Sequence, residues 1–207
     1  MARLEHERIT QELMRLEPKA MVYTVAMMAF NPSIGRALPK GSVGKFVEVA
    51  ETYAKSLVSI TTQRQFDNWH NRFVRKLVEE LRRLKGGVMP SYGQGQKPVN
   101  VFLKLFVHWG GKPDGRTAKR VRGWLHVPLD SRVMGYIRGR FGEMWDEELG
   151  ELYRDRGTRP SDTRLSRIDQ EMYEGWQDLL RRICPRRPIL LDTIWAAQRF
   201  RLGFSND

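Results

Sequence analysis

The run FDNWHNRFVRKLVEELRRLK, residues 66–85, limits the fold more than any other stretch of this chain. Phe66, Trp69, Phe73, Leu77, Leu81 and Leu84 recur at steps of three and four, the spacing that gathers apolar side chains on one face of an α-helix. Arg72, Arg75, Arg82 and Arg83 make the back of that helix cationic. Such a helix owes its stability to neighbours that cover its apolar face rather than to propensity. The neighbours should be helices too, because no convincing run of strand-type alternation occurs elsewhere. Helical spacing covers about 10–30, with Pro18 opening or kinking a turn, and about 43–60. It resumes at Lys97 or Pro98 and reaches Trp109, then returns between Pro128 and Phe141, at about 164–183 and at about 192–200. Proline and glycine mark 31–42, 86–96 and 110–124 as loops. An all-α fold is predicted, with residues 1–207 forming one helical unit.

Charge narrows the partner. Lys and Arg number 36 against 24 Asp and Glu, a net charge of +12. An excess of this size suits a polyanion, nucleic acid first and an acidic membrane surface second. The single cysteine, Cys184, excludes an intramolecular disulfide framework and any four-cysteine zinc or iron–sulfur site. A cytoplasmic location is expected, associated with the nucleoid in a bacterium or archaeon. The longest apolar stretch, Ala20 to Phe30, is too short to span a bilayer, and MARLEHERIT reads as a charged helix rather than a signal.

Two phrases carry chemistry. In YGQGQKPVNVFLK, residues 92–104, Gly93 and Gly95 can take positive φ and let a ligand approach the backbone. A helix opening at Lys97 or Pro98 would turn its unbonded N–H groups toward an anion. Proline suits that first turn. The same positive end would loosen the proton on Lys97, as a nucleophilic amine requires. A ligand-free connection between helices, with Lys97 a surface residue, accounts for the same residues. In HVPLDSRVMGYI, residues 126–137, Asp130 stands where a helix N-cap belongs, a role worth about 1 kcal/mol whether or not any chemistry happens there.

Together the phrases resemble the helix–hairpin–helix DNA glycosylase superfamily. Tyr92-Gly93-Gln94-Gly95-Gln96-Lys97 takes the place of that family's hairpin and catalytic lysine. Val127-Pro128-Leu129-Asp130-Ser131, followed by Val133, takes the place of its aspartate phrase. The resemblance covers about residues 90–141 and implies a two-lobed helical bundle with a central cleft. The hairpin and its helix would occupy 86–108, a basic insertion 110–124, and the aspartate-bearing segment 125–141. Lys97 would attack the sugar C1′, and Asp130 would stabilise the developing positive charge and assist proton transfers. Gly93, Gln94, Gly95 and Gln96 would hold a DNA phosphate. The resemblance further implies double-stranded DNA as partner, base flipping, a monomer and no cofactor. The cluster-forming cysteines of one branch are missing, which places the chain with the cluster-free branches. Gln94 and Pro98 depart from the family pattern, and the 110–124 segment lengthens it. The implied activity is excision of a damaged or modified base, with strand nicking by β-elimination, as in DNA repair; a nuclease or phage-defence factor acting on modified foreign DNA is an alternative. A non-catalytic DNA-binding protein that kept the hairpin fits the same residues.

The 110–124 segment offers Lys112, Arg116, Lys119, Arg120 and Arg122 between Trp109 and Trp124. Cations interleaved with aromatics can grip phosphates and stack on bases, and Tyr92 is a third stacking candidate. A solvated loop with both tryptophans packed at its roots is the plainer reading. His70, His108 and His126 lie in separate segments without metal-ligand spacing, so no metal is expected. ILLDTIW, residues 189–195, repeats the apolar-aspartate-hydroxyl phrase, and there Asp192 reads as the N-cap of a core helix with Trp195 in the core.

Overall fold

The computed structural model describes residues 2–30, 32–35, 38–84, 89–194 and 197. Among these residues every regular element is helical, as the apolar spacing predicts. Four long helices build the N-terminal part: α1, Ala2–Ala29; α2, Ser42–Ser56; α3, Gln63–Arg82; and α4, Tyr92–Leu103. α1 and α3 each pack on α2 and on α4. The face of α3 read from the sequence is the buried one, with Phe66, Trp69, Phe73, Leu77 and Leu81 at most 2% exposed. Thr62 and Gln65 fix where α3 starts, because each side chain bonds the other's backbone N–H. Phe46, Phe73 and Phe102 meet with ring centroids 6.0 to 6.3 Å apart and join α2, α3 and α4. A fully buried phenylalanine of this kind contributes about 2 kcal/mol.

α1 continues through Pro18, which lies inside the helix rather than at its start. Proline forfeits the bond to the carbonyl of Met14, but residues 7–20 are exposed on every side and water can replace it.

A second apolar cluster lies C-terminal to the first. α6, Ser131–Arg140, and α7, Gln170–Ile183, frame it together with helical turns between residues 142 and 155. Trp176 donates its indole N–H to the Tyr153 hydroxyl at 2.8 Å, and Trp145 meets Tyr153 edge-on. α5, Gly115–Val121, belongs to the first cluster.

Residues 125–129 run between the clusters, extended and fully buried. Buried backbone without a ladder must find other partners. Gln177 accepts the Val127 N–H at 2.9 Å and donates to its carbonyl at 3.0 Å. Asn100 donates to the same carbonyl at 3.2 Å. Gln96 accepts the Leu129 N–H and donates to its carbonyl, both at 3.3 Å. Three amide side chains from α4 and α7 thus do what a neighbouring strand would do.

Two segments expected as loops are helical. Residues 92–96 form no hairpin and are the opening of α4, because Ser91 caps the helix and exchanges bonds with Gln94. The positive-φ glycines of the described chain are Gly41, Gly111 and Gly157, so Gly93 and Gly95 are not used for backbone freedom. They are used for closeness. A Cβ on Gly93 would lie 2.3 Å from the Leu165 carbonyl, and one on Gly95 would lie 2.5 Å from a Val78 methyl. The 110–124 segment contains α5, which starts where Asp114 accepts the Thr117 N–H at 2.9 Å. α7 begins later than expected, at its Asp169 cap, after a separate single turn Leu165–Arg167.

Candidate active site

α4 and the start of α6 bring the two phrases together. Lys97 Nζ lies 3.3 Å from Asp130 Oδ2, and each side chain is 16% exposed. Asp130 is the N-cap of α6, as its position predicts: Oδ1 accepts the N–H groups of Arg132 and Val133, each at 3.0 Å. One carboxylate oxygen holds the helix and the other faces the amine. The pair lies on the wall of a cavity of about 330 Å³, shared with Ile34, Leu38, Gln94 and Arg164. Arg164 is engaged bidentately by Asp162, whose carboxyl that guanidinium holds down at about 2.

The phosphate-binding reading of the glycines does not survive their geometry. The Gly93 N–H donates to Ile168 O at 2.9 Å, and the Gly95 N–H donates to Ser91 O at 3.1 Å. Neither amide points outward. Gln96 is wholly buried against Leu129 and Asn100 rather than presented to DNA. Lys97 is the sixth residue of α4, past the first turn, where the helix dipole no longer acts on its amine. Tyr92 gives its hydroxyl to Asn71 at 2.7 Å and packs on Tyr173, so its ring is committed to the protein. Trp124 packs against Phe66 at the root of its segment, whereas Trp109 is 65% exposed.

Lys104 stands two turns beyond Lys97 on the same side of the helix and was not singled out from the sequence. It is bonded to Asp192 and lies 4.7 Å from the centroid of the Trp109 ring. Asp192 closes the short turn Pro188–Asp192 and directly precedes helical residues 193 and 194; Trp195 lies outside the described residues. Burial pushes the Asp192 carboxyl above the ordinary range, Lys104 opposes that rise, and the charge of Asp130 adds to it. The two lysines and two aspartates therefore form one electrostatic group. A signal for it was present: the seven-residue spacing of the lysines and the second apolar-aspartate phrase.

Farther along, His108 is lowered by burial and then by Arg122, Arg187 and Lys104. Arg122 is the one expected DNA-binding cation of the 110–124 segment that joins this group. Arg116 and Lys119 are exposed on α5, Lys112 precedes it, and Arg120 donates to the Val58 carbonyl at 2.9 Å.

Behind the cavity, His70 and His126 come together although far apart in sequence, with ring centroids 4.2 Å apart. His70 Nε2 lies 2.6 Å from Asn100 Oδ1. His126 lies 2.8 Å from both the Tyr173 hydroxyl and Asp67 Oδ1. Burial holds both imidazoles well below their ordinary range, so both are neutral at pH 7. Burial also raises the Asp67 carboxyl, against the pull of Arg181. This network ties α3, α4, residues 125–129 and α7 together.

Among the described residues no group of three or more His, Cys, Asp or Glu side chains is placed to hold a metal ion, and no helix is long and apolar enough to cross a membrane. No protein-family model matches the chain, no curated protein matches it, and no solved structure matches its fold.

Proposed function

We propose that the chain is a DNA glycosylase with lyase activity, in which Lys97 is the Schiff-base nucleophile and Asp130 its proton-transfer and electrostatic partner. The observation that supports this is the pair itself: an amine and a carboxylate 3.3 Å apart, brought by separate helices to the wall of one cavity. Its volume of about 330 Å³ suits a single extruded nucleoside rather than a duplex. The two apolar clusters would then act as lobes on either side of the cleft.

A flipped nucleotide enters with C1′ beside Lys97 Nζ. Asp130 takes a proton from the ammonium and leaves a neutral amine. The C1′–N bond to the base breaks and the base departs with the electron pair; the amine nitrogen bonds to C1′ and sheds a proton, which the base takes up. Asp130 returns its proton to the ring oxygen, which opens the sugar and leaves an iminium facing the restored carboxylate. Loss of a C2′ proton then breaks the C3′–O bond and nicks the strand. Phosphates are held by side chains, since the backbone of residues 93 and 95 is occupied. Lys104, Arg122 and Arg187 continue the cationic surface from the cavity, and the +12 charge makes binding to double-stranded DNA salt-sensitive.

One observation favours a second reading, a DNA-binding protein without catalysis. Asp130 caps α6 and ties down Lys97, a use that needs no substrate. Borohydride trapping on abasic-site and modified-base duplexes separates the two. The glycosylase reading expects a covalent protein–DNA adduct that disappears in Lys97→Ala. Salt-sensitive binding with no adduct and no base release from any duplex would leave the binding protein.

A further inference from the structure

α1 carries two apolar stripes. Val22, Ala26 and Ala29 face the core. Ile9, Leu13, Leu16, Tyr23 and Met27 are between 43% and 62% exposed, and Ala20 lies among them, also exposed. At 3.6 residues per turn the centres of the two stripes are about 130° apart, so the exposed one faces away from the core. The exposed stripe advances by four, three, four, three and four residues from Ile9 to Met27. Alternating steps of four and three are those of a seam packed against another helix, and they keep the stripe on one side of α1 from end to end. α1 packs on α2 and on α4 with its continuation, all on the core side.

We propose that this seam pairs antiparallel with α1 of a second copy of the chain, making the protein a dimer in place of the monomer implied by the resemblance. Charge selects both occupant and direction. Glu12 and Lys19 flank one edge of the seam, and Glu17 flanks the other. With Leu13 set opposite the partner's Leu16, an antiparallel pair puts each Glu12 beside the partner's Lys19. Ile9 then lies over the partner's Ala20, a large residue on a small one. A parallel pair would put Glu12 beside the partner's Glu17 and repel. A lipid surface fits less well, because the edges of the stripe carry both signs of charge.

The test is the solution mass of the full chain by light scattering across a concentration series. The expected value is twice 24.2 kDa, falling to 24.2 kDa in the Leu13→Glu, Leu16→Glu double variant with helical circular dichroism unchanged. Both positions are solvent-exposed in the protomer, so the variant should fold. Glu12→Lys should weaken the dimer about tenfold, and adding Lys19→Glu should restore it. A wild-type monomer at the highest soluble concentration, or a dimer that survives the double variant, overturns the proposal. So does a dimer tightened by Glu12→Lys, which would mean a parallel pair. Vesicle binding by a monomeric wild type, lost in the double variant, would assign the stripe to lipid instead.

Discussion

Gln96 and Lys97 are neighbours in the chain and opposites in the fold. Gln96 is fully buried, bonding the backbone of Leu129 and the side chain of Asn100. Lys97 turns to the cavity and meets Asp130. The same contrast repeats farther along, where Asn100, one turn past Gln96, joins the buried histidine network and Lys104, two turns past Lys97, faces Asp192. One side of α4 holds residues 125–129 in place, and the other carries the charged group that their end, Asp130, completes. The buried side is built so that the exposed side has a geometry, and substitutions should separate shape from chemistry.

The largest effect expected is on chemistry alone. Under the proposed glycosylase reading, Lys97→Ala should lower single-turnover base release by about 10³-fold or more. It should leave the melting temperature within about 2 °C, since only one partly exposed ion pair is lost. A large drop in stability with no activity to lose would erase the distinction between the two sides. Asn100→Ala should do the reverse and destabilise by about 3 kcal/mol in urea melts. It strips a bond from the buried Val127 carbonyl, from Gln96 and from the Tyr173 hydroxyl at once. A change under about 0.5 kcal/mol would show that residues 125–129 are held by something other than these amides.

The glycines give a smaller, graded test. Gly93→Ala drives a methyl into a backbone carbonyl and should cost about 2 kcal/mol. Gly95→Ala meets methyl groups of Val78 at 2.5 Å and Val74 at 3.5 Å, side chains rather than backbone, and should cost less than Gly93→Ala. Equal costs would refute close helix packing as the reason for both residues.

The gentlest effect is a pH dependence of stability. His70 and His126 are held below 6.5 in the folded state, so the unfolded chain gains protons that the fold refuses. Stability should be flat above 6.5 and fall as pH drops below it, by up to about 1.4 kcal/mol per pH unit for each histidine. Asp67, whose folded carboxyl is raised above 3.8, binds its proton earlier when folded and offsets part of that loss at more acid pH. His126→Gln should shallow the slope, and Lys97→Ala should leave it unchanged in urea melts at pH 5 to 7.

The sequence by itself determined the helical class, the buried face of α3 and the capping role of Asp130. Each depends on residues within a few positions of one another, where apolar period and cap chemistry decide the outcome. The family resemblance paired Lys97 with Asp130, and the two side chains lie 3.3 Å apart. The tertiary structure alone decided what Gly93 and Gly95 are for, because a glycine chosen for backbone freedom and one chosen for close packing read alike until the opposing atom is known. That atom belongs to Leu165 for Gly93 and to Val78 for Gly95. The tertiary structure also carried Asp192 to Lys104 and His126 to His70, from segments 88 and 56 positions apart. Side-chain charge and burial act through space, so such meetings are fixed only once helices that share no local signal have packed.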